Sequence, residues 1–161
     1  VLHAPLPNPL PLRGEGTHNR VVFAKIVVAV GGTEHATELV PVITGLAKAF
    51  DSEVLVVHMR ERIVTSAATL EQETIPESFK FGEAVARRLI EAGVKASSDI
   101  DSHRPDRLAD FILEKADEFG AELIVVGAHH AHGLKERVTG DLGRKIVHGA
   151  HCPVLMMPSD E

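Results

Sequence analysis

Three of the ten histidines stand close together in Gly127-Ala128-His129-His130-Ala131-His132-Gly133. Imidazoles at His129, His130 and His132, with the Asp141 carboxyl group, make up an N/O donor set of the kind that holds zinc, nickel or copper. Adjacent histidines on a loop need not converge, so a His-rich loop that lines a pocket or faces water is the competing reading. The same stretch leads to Thr139-Gly140-Asp141. Glycines let a backbone approach an anion, and free N–H groups at a helix start hold phosphate. Other reactive side chains read as ordinary. His58 ends an apolar run and reads as packed and hydrogen-bonded. His148 and His151 read as helix-end and surface residues, and Asp99 with Asp101 as a solvated face rather than a carboxylate pair. Cys152 begins an apolar strand with no base beside it and reads as a small buried residue.

Missing motifs narrow the chemistry. After the first strand comes Val30-Gly31-Gly32-Thr33-Glu34, not G-x-G-x-x-G. There is no G-x-x-x-x-G-K-[ST] and no G-x-S-x-G elbow. No residue presents itself as a general base, so the sequence does not establish an enzyme.

The elements that must position these residues alternate. Ala24 to Val30, Glu53 to Met59 and Glu122 to Gly127 are short β-branched runs suited to strands covered on both faces. Val94 to Ile100 alternates apolar and polar, as an edge strand does, and Pro153 to Met157 is wholly apolar. Helical spacing follows Thr33, with Pro41 expected to kink that helix or mark its start. Further helices are expected over Pro76 to Ala92, Pro105 to Phe119 and about Asp141 to Ala150, the first two closed by Gly93 and Gly120. Arg60 to Thr74 carries no clear pattern and is expected to be a long mobile connection. Alternating strands and helices predict an open α/β sheet with right-handed crossovers. An apolar edge strand invites pairing, so Val154, Leu155, Met156 and Met157 are expected to be central or to form a homodimer contact.

The chain has 161 residues, one domain's worth, with 17 Lys plus Arg against 23 Asp plus Glu and a formal charge of −6. That field opposes nucleic acid and anionic membrane as partners. A single cysteine precludes an internal disulfide and predicts a reducing, cytoplasmic setting. No apolar run reaches the roughly 18 residues of a membrane span. Residues 1–20 hold Pro5, Pro7, Pro9 and Pro11 and are expected to form an extended tail rather than a signal peptide. With Val1 in place of an initiator Met, the domain proper is expected over residues 21–161.

The opening strand with its Gly-Thr turn, Leu55-Val56-Val57-His58, Ala121-Glu122-Leu123-Ile124-Val125-Val126-Gly127 and Ala150-x-Cys152-Pro153-Val154-Leu155 together resemble the universal stress protein family over about residues 24 to 158. The resemblance implies a Rossmann-like, five-stranded parallel sheet ordered 3-2-1-4-5, helices on both faces, and a dimer through the fifth strand. ATP-binding members carry G-x-x-G, nine residues, then G-[ST], and usually an Asp ending strand one. Gly127 and Gly140 match at the right spacing. His130 replaces the second glycine, Asp141 the Ser or Thr, Gly143 a further small hydroxyl, and Gly31, after Val30, the strand-one Asp.

These departures bear on phosphate. A carboxylate at a helix start occupies the N–H groups an anion would use. At about 5 Å and an effective dielectric near 20 it also repels a unit negative charge by about 3 kcal/mol, a hundredfold in affinity. A bridging divalent cation reverses that sign, and Arg137, Arg144 and Lys145 offset part of it. The leading expectation is therefore a cytosolic homodimer acting as a stress-response regulatory and interaction module with a degenerate nucleotide pocket. The alternatives are an ATP- or AMP-binding protein, using Mg²⁺ and hydrolysing slowly, and a metal-binding variant built on His129, His130 and His132.

Overall fold

The computed structural model describes residues 22–31, 33–64, 69–71, 74–103, 107–127 and 136–157. In chain order the elements are β1 Lys25–Val30, α1 Thr33–Phe50, β2 Glu53–Val64, β3 Thr69–Glu71, α2 Ile75–Glu91, β4 Lys95–His103, α3 Leu108–Phe119, β5 Leu123–Gly127, α4 Glu136–Gly149 and β6 Val154–Met157. Five parallel strands run β4-β2-β1-β5-β6. Counted without the short β3 this is 3-2-1-4-5, as the family resemblance implied.

The sheet is covered on both faces, which explains its nearly continuous apolar strands. Ile26, Val28 and Val30 pack with Leu39 and Ile43 of α1 and Val85 and Leu89 of α2. Val27 and Ala29 face the opposite way, toward Phe111, Ile112 and Ala116 of α3 and Ile146 of α4. Each fully buried Val, Leu or Ile contributes about 1.5–3 kcal/mol. β1 in particular, buried from Ile26 to Val30, cannot shift by one residue without exchanging its two sets of partners.

Three expectations change. Residues 60–74 are not simply a connection: β2 runs on to Val64, pairs with β4 as far as Glu61↔His103, and carries β3 antiparallel through Arg62↔Glu71 to Val64↔Thr69. Charged residues at Arg60, Glu61 and Arg62 hid a strand that has passed the end of β1. The α1 helix runs through Pro41, which is exposed and does not mark its start. And α4 begins at Glu136, about one and a half turns before Asp141.

Helix ends follow their local chemistry. Thr74 caps α2 in a reciprocal box: its backbone N–H donates to Glu77 Oε2 at 2.8 Å, and its Oγ1 accepts from the Glu77 N–H at 3.4 Å. The Thr74 hydroxyl also donates to Glu77 at 2.7 Å and holds that carboxyl below its usual range. Gly120, at φ 69, ends α3 in the left-handed region. The α3 helix starts at Leu108; Pro105, like residues 1–20, lies outside the described residues. Among the described residues no helix is long and apolar enough to cross a membrane.

Candidate functional site

In an open α/β sheet the crevice lies beyond the carboxyl ends of the strands, where the strand order reverses. Here that is the end of β1 and β5. Ala29 pairs with Val126, so Val30 and Gly127 end adjacent strands and Gly31 leads away to α1. Val30 is buried and Gly31 half-buried. The structure thus brings Val30, Gly31 and Gly127 together. His129, His130 and His132 lie outside the described residues, so the metal reading has no geometry to stand on.

Gly127 has a structural duty. A Cβ there would lie 2.6 Å from Leu39 Cδ1, so its missing side chain makes room for α1. Gly143 is less constrained: a Cβ would meet Met156 Cε at 3.1 Å, so the end of a 39% exposed methionine side chain would give by a few tenths of an ångström.

Gly140 and Asp141 depart from expectation. They are the fifth and sixth residues of α4, not its cap. In an α-helix only the first four N–H groups lack an internal acceptor. The amides of 140 and 141 are therefore already committed to the helix's own ladder, and the expectation of Asp141 at a helix start is corrected.

Midway along β2, beside the last residue of β1, sits His58, 4% exposed and paired in register with Val30. Its Nδ1 lies 2.9 Å from the Val30 carbonyl, and its ring meets Phe81 edge-on at 4.8 Å between centroids. The sequence marked His58 as packed and hydrogen-bonded, and it is. What sequence could not show is that its Nδ1 meets the last carbonyl of β1.

The remaining side chains are plainer. His148 and His151 are exposed. Asp99 is half-buried and pairs with Lys115 Nζ at 3.1 Å, so it is not simply solvated. Glu118 takes the same amine at 3.0 Å, and the two carboxylates raise Lys115 to about 12. Cys152 is half-buried rather than in the core; burial, then the Asp117 charge, pushes its thiol up, opposed by a backbone hydrogen bond with Ile124. β6 is an edge strand, so its central placement is excluded, and Met156 is 39% exposed.

A family model described as the universal stress protein family matches residues 23–158. The chain belongs to the universal stress protein family. Universal stress protein YxiE from Bacillus subtilis is 30% identical over 150 residues, covering 84% of this chain and 99% of that protein. Among solved structures, the universal stress protein from Archaeoglobus fulgidus in complex with dAMP aligns with a TM-score of 0.59 at 22% identity, over 84% of this chain and 98% of that one. A universal stress family protein from Arabidopsis thaliana with AMP bound aligns at 0.56 and 18% identity, over 85% and 92%. At these identities the two structures show the shared fold. Within it, the motif glycine Gly127 of this universal stress chain borders α1 and Gly140 lies inside α4.

Proposed function

We propose that this chain is a regulatory and interaction module of the universal stress family, working in the cytoplasm as a homodimer through β6, with a nucleotide pocket altered against phosphate. It takes a nucleoside monophosphate weakly and does not retain a triphosphate. One observation carries the reading: Gly140 and Asp141 lie inside α4, where their amides already serve the helix. The absence of an Asp at Gly31 points the same way. Repulsion from a carboxylate at 141 grows with ligand charge, so a triphosphate loses more than a monophosphate. The wholly apolar, partly exposed edge strand β6 supports the dimer.

The test is calorimetric titration with ATP, ADP and AMP, with and without Mg²⁺. Weak AMP binding and no ATP binding are expected. Because the chain contains no Trp and no Tyr, retained nucleotide would also stand out as a 260 nm band on the purified protein. Stoichiometric ATP overturns the reading. The alternative, an ordinary nucleotide-binding protein using ATP or AMP with Mg²⁺, is favoured by the neighbours whose structures hold dAMP and AMP. Tight ATP binding that requires Mg²⁺ would select it, since a bridging cation would offset the carboxylate.

A further inference from the structure

We infer that His58 is a positioning residue of the β1/β5 crevice: its Nδ1–H holds the Val30–Gly31 peptide against a flip and so fixes where the Gly31 N–H is presented. The inference rests on the reading above only in taking this crevice as the ligand site.

A carbonyl oxygen accepts and never donates, so the 2.9 Å contact with Val30 requires the proton on Nδ1. The Val30 carbonyl and the Gly31 N–H belong to one planar peptide unit. Fixing the direction of the first therefore fixes the second. The lock matters because glycine, with no Cβ, tolerates the dihedrals on both sides of a flip. Val30 itself is anchored, 5% exposed and still paired with His58 in the β1–β2 ladder, so the imidazole adds a second hold on a carbonyl that the ladder already aims at β2, and the backbone leaves the sheet at the next residue.

The imidazole is held in turn. Phe81 packs edge-on against it at an interplanar angle of 70°. Gly82, the next residue of α2, seats that helix so closely that a Cβ would fall 2.6 Å from Ile100 Cγ1 and 3.9 Å from His58 Cβ. A histidine 4% exposed between β1 and α2 has no room to swing away from the carbonyl. The histidine thus carries the packing of α2 to a backbone donor at the crevice mouth.

Two variants separate the hydrogen bond from the packing. His58→Phe keeps a ring for Phe81 and deletes the donor; His58→Asn places an amide nitrogen where Nδ1 stood and deletes the ring. Three measurements apply: the imidazole ¹⁵N signature of the wild type, the Val30 carbonyl ¹³C shift without ligand, and AMP titration. We expect the Nδ1–H tautomer. We also expect the Val30 carbonyl signal to move upfield and AMP to weaken by about tenfold in His58→Phe, with His58→Asn staying near wild type. An Nε2–H tautomer with bare Nδ1, a Val30 carbonyl signal unchanged in His58→Phe, or equal shifts in both variants overturns the inference. Absence of AMP binding by the wild type counts against the proposed pocket alone, since the tautomer and the carbonyl shift are read without ligand.

Discussion

Replacing Gly127 with alanine separates a glycine kept for ligand approach from one kept for packing. The new Cβ would stand 2.6 Å from Leu39 Cδ1, whereas carbons rest at about 3.5–4.0 Å, so the leucine must retreat by roughly 1 Å. Leu39 is 3% exposed within the core that joins α1 to β1. Its retreat means an off-rotamer side chain or a displaced helix, at about 1–3 kcal/mol. Alanine recovers about 0.5–1 kcal/mol of backbone entropy relative to glycine, which leaves a net loss of up to about 2.5 kcal/mol, centred near 1 kcal/mol. Urea denaturation should show a lower midpoint at unchanged slope. Leu39→Ala alone should cost about 2–5 kcal/mol. In the double variant the Cβ enters the vacated space, so the combined cost should fall short of additivity by about 1 kcal/mol or more. Strict additivity, or Gly127→Ala within about 0.3 kcal/mol of wild type, refutes the packing argument and returns Gly127 to the ligand.

The raised Lys115 sets a pH window. Its folded value of about 12 exceeds its ordinary 10.5, so the stabilisation is complete below about 10.5 and is lost as pH climbs through 12. Lys115→Met should be less stable at neutral pH and converge on wild type across that window; curves parallel throughout would show that the pairing contributes nothing. Asp51 sits at φ 50, where glycine is at ease, so Asp51→Gly should gain about 0.5–1 kcal/mol in chemical denaturation; a loss would mean that its 4.0 Å contact with Lys95 outweighs the strain. Ser78 is 1% exposed and its Oγ has no partner among the described residues, so Ser78→Ala should be neutral or stabilising by up to about 1 kcal/mol, and a clear loss by the same assay would contradict this. Burial and Asp117 hold the Cys152 thiol up. Its alkylation at neutral pH should therefore lag behind a free thiol and quicken in Asp117→Asn, and an equal rate in both proteins would discount the Asp117 charge.

The strands that were legible are those buried on both faces. Ile26 to Val30 and Leu123 to Val126 can be read as continuous apolar runs because two helical layers leave no polar side on them. β4 was legible as an edge for the opposite reason: Ser97, Asp99 and Asp101 alternate with residues facing α2. The extension of β2 was not, since Arg60, Glu61 and Arg62 break its apolar run and only the pairing with β4, as far as Glu61↔His103, shows the strand continuing. The start of α4 was misread because Gly140 and Asp141 are residue types that commonly open helices, whereas the helix enters at Glu136. The sequence does carry a readable helix start elsewhere: Thr74-x-x-Glu77 is a capping box with Pro76 inside it. The contacts at Gly127, Gly143 and His58 join distant elements, and no local pattern announces them.

The winding of α4 across residues 140 and 141 sets part of the proposed loss for a triphosphate. To offer its amides at 140 and 141 to phosphate, α4 must give up two ladder hydrogen bonds, each about 0.5–1.5 kcal/mol net. On the proposed reading, repulsion between a carboxylate at 141 and one unit negative charge about 5 Å away adds about 3 kcal/mol. Together these amount to about 4–6 kcal/mol, or three to four orders of magnitude in affinity. The two contributions respond to different substitutions. Asp141→Ser removes the repulsion and leaves the helix wound, so on this reading it should restore only the electrostatic share, about a hundredfold. Full recovery of ATP binding by that single change would mean that the winding of α4 across residues 140 and 141 costs the ligand nothing.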